Sequence, residues 1–183
     1  MKHLKFFALG IFVLFTAALL ATGAFTAEKS AQPEESQTAK IEWLSFDQGL
    51  AALKEKDNSK HMFVDITASW CGWCKKMDRE TFTDPRVIEL MNTYFIPVKL
   101  WGDSNKELDI DGYKISEKNL AVSEFKVSGY PTFWFVNPDQ ARIGPMPGYQ
   151  TADRMVKALT WVKDREYDTT ATKDTDKGKQ SGK

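Results

Sequence analysis

The two cysteines of this chain, Cys71 and Cys74, are separated by two residues and come shortly after the apolar stretch Met62–Ile66. If a helix begins at this point, the spacing brings both sulfur atoms together across one turn. The N–H groups and the dipole at a helix N-terminus favour a thiolate over a thiol. The pattern therefore predicts a redox pair in which Cys71 is the nucleophile and Cys74 resolves a mixed disulfide.

Other uses of two cysteines are less consistent with the sequence. A disulfide that closes so short a loop removes little entropy from the unfolded chain, so a purely structural bond would stabilise weakly. A zinc or iron–sulfur centre needs about four ligands, but the only histidines are His3 and His61. A copper carrier would need a histidine close to the sulfurs. We interpret His61 as a solvated loop residue before a strand, and we expect no metal and no cofactor beyond the redox disulfide.

The first 24 residues have the layout of a signal peptide. Lys2 and Lys5 precede the apolar run Phe6–Leu20, and small residues follow it up to Ala24. The alternative is an uncleaved anchor, because the stretch Phe6–Phe25 approaches the roughly 20 apolar residues that span a bilayer. In both cases we expect a periplasmic or otherwise exported protein in an oxidising space, tethered to the membrane if the leader stays.

Composition limits the remainder of the chain to one domain. The 183 residues include 25 basic and 25 acidic ones, a balance that gives no indication of nucleic-acid binding. Residues 25–40 are polar and are predicted to form a linker. Residues 167–183 lack apolar anchors and are predicted to be a disordered tail. The folded domain is then expected over residues 41–166.

The hydrophobic periodicity between these flanks alternates between strand and helix patterns. We expect strands at Ile41–Leu44, Met62–Thr67 and Phe95–Trp101, and a hairpin that pairs Thr132–Val136 with Ala141–Gly144. We expect helices from Ser45 to Lys56, after Cys71, after Asp84, over Leu120–Phe125 and from Thr151 to Lys163. This order predicts an α/β fold with a mixed central sheet and helices on both faces.

Two separated motifs resemble those of the thioredoxin family. The stretch from Phe63 to Lys75 is similar to the strand, turn and helix that carry the family's redox pair, and Gly129–Phe133 is similar to its proline loop. Lys99 falls where the family places a lysine near a buried acid, and Gly148 where it places a glycine before the last helix. The resemblance covers residues 41–163 and implies the thioredoxin fold.

The resemblance also implies roles for individual residues. Asp65 corresponds to the family's buried carboxylate, whose raised pKa lets it exchange a proton with Cys74, with Lys99 beside it. A plain ion pair between Asp65 and Lys99 is the alternative. Pro131 corresponds to the family's cis-proline, unless it is an ordinary turn proline, and the Tyr130 backbone would pair with an extended substrate.

The residues around the nucleophile complete the expected substrate-binding surface. Trp70 matches a family position and is expected to support the start of the helix. Gly72 and Trp73 lie between the cysteines, and Trp73 replaces the proline that many thioredoxins carry there. We expect Trp73 to form an apolar recognition surface, although simple packing is the alternative.

The segment from Gly102 to Lys118 is longer than the family usually has at this position. Its acidic residues echo the start of an EF-hand, but Lys118 occupies the place of the final glutamate ligand, so calcium binding is only a weak expectation. A lid or a partner-docking loop beside the active site is more consistent with its length.

The sequence therefore predicts an exported thiol-disulfide oxidoreductase that reduces client disulfides through a Cys71 mixed disulfide resolved by Cys74. Its partners would be protein thiols and disulfides, together with a membrane or soluble thiol electron donor. The alternatives are an oxidase or isomerase of the same fold, and a non-enzymatic docking module of a membrane or secretion complex.

Overall fold

A computed structural model describes residues 40–168. The predicted leader, most of the linker and the tail beyond Asp168 lie outside the described residues. Within residues 40–168, no helix is long and apolar enough to cross a bilayer.

The described chain alternates between helices and strands. The helices are α1 (Phe46–Leu53), α2 (Gly72–Lys76), α3 (Pro85–Tyr94), α4 (Glu117–Asn119) and α5 (Ala152–Lys163), with π-helical turns at Met77–Thr81 and Leu120–Glu124 directly after α2 and α4. The strands are β1 (His61–Thr67), β2 (Phe95–Trp101), β3 (Glu107–Ile110), β4 (Tyr113–Ser116), β5 (Thr132–Val136) and β6 (Arg142–Pro147).

Four strands form one mixed sheet in the order β2-β1-β5-β6. Strands β1 and β2 are parallel, whereas β1–β5 and β5–β6 are antiparallel. One face of the sheet packs against α1 and the second π-helical turn, and the other packs against α3 and α5. The predicted α/β fold with a mixed, doubly covered sheet is confirmed.

Local sequence signals account for the helix boundaries. Ser45 forms the predicted capping box with Gln48 at the start of α1. Asp84 caps α3 through the Arg86 N–H, with Pro85 in the first turn. Thr151 caps α5 in the same way, through the Arg154 N–H. Helix α1 ends at Leu53, three residues before the predicted end.

The predicted strand at Ile41–Leu44 is wrong. Only Leu44 pairs with the sheet, as an isolated bridge to Val98. The bridge consists of two backbone hydrogen bonds, from Leu44 N to Pro97 O and from Lys99 N to Leu44 O. Ile41 instead lies buried in the core on the α3 side, so this segment is anchored by its side chains more than by ladder hydrogen bonds.

The interpretation of His61 as a solvated loop residue is also wrong. His61 is the first residue of β1 and is 5% exposed. Its Nε2 atom lies 2.8 Å from the Tyr167 hydroxyl. Burial lowers the pKa of His61, because desolvation disfavours the imidazolium. Tyr167 therefore belongs to the folded domain and not to a disordered tail.

The long segment after β2 is a folded hairpin and not an open loop. Strands β3 and β4 pair in the register Leu108 with Ile115, and both of these side chains are buried in the core beside α1. The turn contains Asp111 and Gly112, which have positive φ angles of 54° and 86°. Backbone bonds from Glu117 N to Lys106 O and from Lys118 N to Ser104 O close the base.

Candidate active site

A disulfide bond joins Cys71 and Cys74 at the start of α2. Both residues are nearly buried, with 4% and 5% of their surface exposed. Cys71 is the N-cap of α2, and its sulfur accepts a hydrogen bond of 3.0 Å from the Cys74 N–H. Because α2 begins at this cap, its N-terminal N–H groups favour a thiolate on Cys71 once the bond is reduced.

The loop between β1 and Cys71 is tied to the base of the β3–β4 insertion. The Asp103 carboxylate accepts hydrogen bonds from both the backbone N–H and the hydroxyl of Ser69. These hydrogen bonds lower the pKa of Asp103. The Gly102 N–H donates to Thr67 O at 2.8 Å. The insertion thus fixes the backbone that leads into Cys71.

Asp65 lies on β1, directly opposite Lys99 on β2. Its side chain is 3% exposed, and its Oδ2 atom lies 3.4 Å from the Lys99 ammonium. Burial raises the pKa of Asp65 to about 6, against the lowering effect of Lys99 and with a smaller raising effect from Asp78. The carboxyl group can therefore gain and lose a proton near neutral pH.

A second carboxylate shares the Lys99 ammonium. Asp78, in the π-helical turn after α2, lies 2.6 Å from the Lys99 Nζ atom, which is closer than Asp65. The same ammonium lies 4.8 Å from the Trp43 ring centroid. Lys99 thus bridges the buried Asp65 and the half-exposed Asp78, and its ammonium also contacts the Trp43 ring.

The peptide bond between Tyr130 and Pro131 is cis. The Tyr130 side chain packs against Ala68 and both cysteines. Its hydroxyl donates a hydrogen bond of 3.0 Å to Gly102 O. The proline loop and the base of the insertion therefore meet beside the disulfide.

Two exposed tryptophans flank the disulfide. Trp70 was expected to support the start of α2, but it is 70% exposed and its ring meets Tyr130 edge-on at 5.7 Å. Trp73 is 58% exposed and lies 5.5 Å from the Tyr149 ring. A Cβ atom added to Gly72 would have no neighbour within 4 Å, so the surface between the two indoles is open.

The Trp73 side of this surface carries an additional cation. The Lys76 ammonium lies 4.9 Å from the Tyr149 ring centroid and 5.4 Å from that of Trp73. The Tyr149 hydroxyl donates to a Glu80 carboxylate oxygen at 2.9 Å. These contacts hold Tyr149 as the support of the exposed Trp73 ring.

Several residues of the site were not predicted from the sequence, namely Asp78, Gly102, Asp103 and Tyr149. A signal existed for Asp78, since a residue four positions after Cys74 lies one helical turn further on the same face. No comparable signal marked Asp103 or Tyr149, because both reach the site from distant parts of the chain.

The acidic residues of the insertion do not form a metal site. Within residues 40–168, no group of three or more histidine, cysteine, aspartate or glutamate side chains is arranged to hold a metal ion. Asp109 instead accepts a hydrogen bond from the Gly112 N–H and pairs with Lys114. The weak resemblance to an EF-hand thus reflects the turn of a hairpin.

Comparisons with known proteins agree with this geometry. A family model described as a thioredoxin-like domain matches residues 47–163. The thiol:disulfide interchange protein DsbD of Campylobacter jejuni (strain RM1221) is 27% identical over 156 residues, which are 81% of this chain and 25% of that protein. The chain thus spans about a quarter of the length of this curated relative.

Solved structures show the same fold. A thioredoxin-fold protein from Helicobacter pylori superposes with a TM-score of 0.55 at 19% identity, covering 67% of this chain and 85% of that one. A putative disulphide-isomerase from Bacteroides thetaiotaomicron superposes with a TM-score of 0.53 at 25% identity, covering 69% of this chain and 95% of that one.

Proposed function

Because the chain belongs to the thioredoxin-like domain family and carries a Cys-x-x-Cys disulfide at a helix N-terminus, we propose that it reduces disulfide bonds of client proteins in an exported compartment. The observation that carries the proposal is the Cys71–Cys74 disulfide at the N-terminus of α2, with Tyr130 packed against it. This contact supports a site in which the backbone of the proline loop receives an extended substrate beside the disulfide.

The reaction begins with the reduced pair. The Cys71 thiolate attacks one sulfur of a client disulfide, forming a mixed disulfide and releasing the other client sulfur as a thiolate. Cys74 then loses its proton and attacks the Cys71 sulfur. The second client thiolate leaves, so the client gains two electrons and the enzyme returns to the Cys71–Cys74 disulfide. A thiol donor, soluble or membrane-bound, reduces this disulfide for the next cycle.

Asp65 is the base that accepts the Cys74 proton in this proposal. Its pKa of about 6 allows the carboxyl group to be charged before the transfer and neutral after it at neutral pH. Lys99 holds the carboxylate in place through the 3.4 Å contact. This role is supported by the pairing of Asp65 on β1 with Lys99 on β2, since β1 leads into Cys71.

Trp73, Trp70 and the cis-proline loop form the client-binding surface. Exposed aromatic rings supply large contact areas at low entropic cost, which suits binding of varied unfolded or flexible segments. The open surface at Gly72 leaves room for a client chain to approach the nucleophile.

The proposals that the protein acts as a reductase and that it is exported both rest on the sequence. A dedicated oxidase of this fold carries an inserted helical domain, whereas the insertion here is the short β3–β4 hairpin. Export rests on the signal-like pattern of Met1–Ala24. The names of the proteins reported above, a thiol:disulfide interchange protein and a putative disulphide-isomerase, are consistent with exchange chemistry in either direction.

Insulin-disulfide reduction with dithiothreitol as the donor tests the activity. The wild-type protein should accelerate insulin precipitation, and Cys71→Ser should abolish the acceleration. No acceleration by the wild type, or full activity of Cys71→Ser, would contradict the enzymatic proposal and favour the docking module.

A trapping experiment tests the assignment of the two cysteines. Cys74→Ala should accumulate mixed disulfides through Cys71 when expressed with its leader, because the resolving thiol is missing. Cys71→Ala is the matched control and should trap far fewer partners. Equal trapping by both variants would refute the assigned order of attack.

A further inference from the structure

The four residues 147–150, which lead from the end of β6 into α5, contact two parts of the proposed client-binding surface. The Gly148 N–H donates a hydrogen bond of 2.8 Å to Pro131 O in the proline loop. The Tyr149 ring lies 5.5 Å from the exposed ring of Trp73. The position of this segment therefore affects the proline loop and the indole at the same time.

Gln150 holds the segment from inside the protein. It is 2% exposed, and its Nε2 atom donates to Pro147 O at 3.0 Å and to Gly148 O at 3.1 Å. Pro147 O and the Gly148 N–H belong to the same peptide group, so that group is held by Gln150 at one end and by Pro131 at the other. The next peptide group, which leads into Tyr149, is held through Gly148 O.

The main chain of Gln150 is anchored to the π-helical turn that follows α2. Its N–H donates to Met77 Sδ at 3.3 Å, and its carbonyl oxygen accepts from the Thr81 hydroxyl at 2.7 Å. Both partners are buried. Because the turn continues directly from α2, Gln150 has a fixed position relative to the helix that carries the disulfide.

The amide of Gln150 is not the group that packing alone would favour here. Its Oε1 atom is buried, and no donor among residues 40–168 forms a hydrogen bond with it. A buried acceptor in this state is unfavourable. Methionine would fill the same space without that oxygen. The amide nitrogen, with its two bonds to backbone carbonyls, is what distinguishes glutamine from an apolar residue at this position.

We propose that Gln150 is a positioning residue for client binding, whose amide orients the peptide group between Pro147 and Gly148 and thereby keeps the proline loop and Tyr149 in place. The effect on clients rests on the proposed disulfide reduction, whereas the effect on the segment does not. Because the amide acts through the segment and not on the cysteines, its loss should raise KM for a protein client and leave kcat nearly unchanged.

Hydrogen exchange of the oxidised, ¹⁵N-labelled protein tests the structural part. In Gln150→Met, the Gly148 amide proton should exchange at least about tenfold faster than in the wild type, because the two bonds that hold the segment are lost. The Gly102 amide, which donates to Thr67 O at the same distance of 2.8 Å, is the internal reference and should keep its rate. An unchanged Gly148 rate would overturn the proposal, whether or not the protein reduces insulin.

Steady-state reduction of insulin tests the effect on clients. In Gln150→Met, KM should rise about fivefold or more while kcat stays within about twofold, and the rate with a small aromatic disulfide should change little. Val162→Ala truncates a fully buried side chain of α5 and is the control for lowered stability, so its unfolding midpoint should fall while its KM stays unchanged.

Two kinetic outcomes would overturn the proposal, namely an unchanged KM in Gln150→Met or an equal rise of KM in Val162→Ala. Inactivity of the wild type would contradict disulfide reduction instead. The two failures are distinguishable, because the exchange rate of Gly148 is measured without any client or thiol donor.

Discussion

Asp65 and Lys99 occupy matching positions on the parallel strands β1 and β2, and their charged groups lie 3.4 Å apart. An ion pair at this distance normally lowers the pKa of the acid. Here burial outweighs the lysine, and the pKa of Asp65 rises to about 6. Desolvation is therefore the dominant influence on this carboxyl group.

The first prediction concerns the cost of ionising Asp65. The folded-state pKa of about 6 lies above the ordinary value of 3.8, so the folded protein binds more protons between these pH values than the unfolded chain does. Stability is then lost as the pH rises through about 6, by about 3 kcal/mol at full ionisation. Asp65→Asn should remove this loss and unfold at higher urea concentration than the wild type at neutral pH.

Urea unfolding of the oxidised proteins between about pH 4 and pH 8 measures the effect. The stability difference between Asp65→Asn and the wild type should grow as the pH rises. Asp57→Asn, in an exposed turn, is the control and should show a constant difference. A pH-independent difference for Asp65→Asn would mean that this carboxyl group titrates normally.

The second prediction concerns the sharing of Lys99. Asp78→Asn removes an anion that raises the pKa of Asp65 and frees Lys99 to approach Asp65 more closely. The pKa of Asp65 should therefore fall below about 6, as measured by NMR titration of its ¹³C-labelled carboxyl group. Glu80→Gln changes a neighbouring acid of the same turn that contacts Tyr149 instead, so it should leave Asp65 unchanged. An Asp65 midpoint that does not move in Asp78→Asn would exclude the coupling.

The third prediction concerns Gly102. A Cβ atom at this position would overlap the Tyr130 hydroxyl and lie 2.6 Å from its ring, so the Tyr130 ring must shift in Gly102→Ala. We expect a loss of about 1–3 kcal/mol in unfolding free energy and lower insulin-reducing activity. Gly144→Ala is the control, because its added Cβ would have no neighbour within 4 Å. Wild-type stability of Gly102→Ala would show that Tyr130 relocates without cost.

The fourth prediction separates client binding from chemistry. Trp73→Ala removes an exposed ring, so its effect on unfolding free energy should be within about 0.5 kcal/mol. Its kcat/KM for insulin should fall, whereas the rate with a small aromatic disulfide should change little. Trp161→Ala, on α5 and away from the disulfide surface, is a control for general loss of aromatic packing. A parallel loss with both substrates would place Trp73 in the chemical step and not in recognition.

The central part of the fold could be predicted because local signals and the global fold agree there. Capping residues indicated the starts of α1, α3 and α5, and the apolar stretch Met62–Ile66 indicated β1. The interpretation of His61 was wrong because this histidine stands just before that apolar stretch. A histidine at the start of a strand gives no periodic signal, and its burial depends on Tyr167, which lies far away in the sequence.

The β3–β4 insertion was missed although the sequence carries a signal for it. Glu107–Ile110 and Tyr113–Ser116 alternate between polar and apolar residues on either side of Asp111–Gly112, a dipeptide that favours a tight hairpin turn. The acidic residues and the length of the segment favoured a loop interpretation instead. In the site, Asp103 and Tyr149 were missed for a different reason, since their contacts depend on tertiary structure.

The closed base of this hairpin has a consequence for changes in chain length. Because Ser104 and Lys118 are joined by a backbone hydrogen bond, the chain enters and leaves the insertion at nearly the same point. A segment of this kind can differ in length without shifting the strands around it. Leu108, however, is part of the core, so its loss would leave a cavity beside α1. The tip of the hairpin can therefore vary, whereas the position of Leu108 cannot.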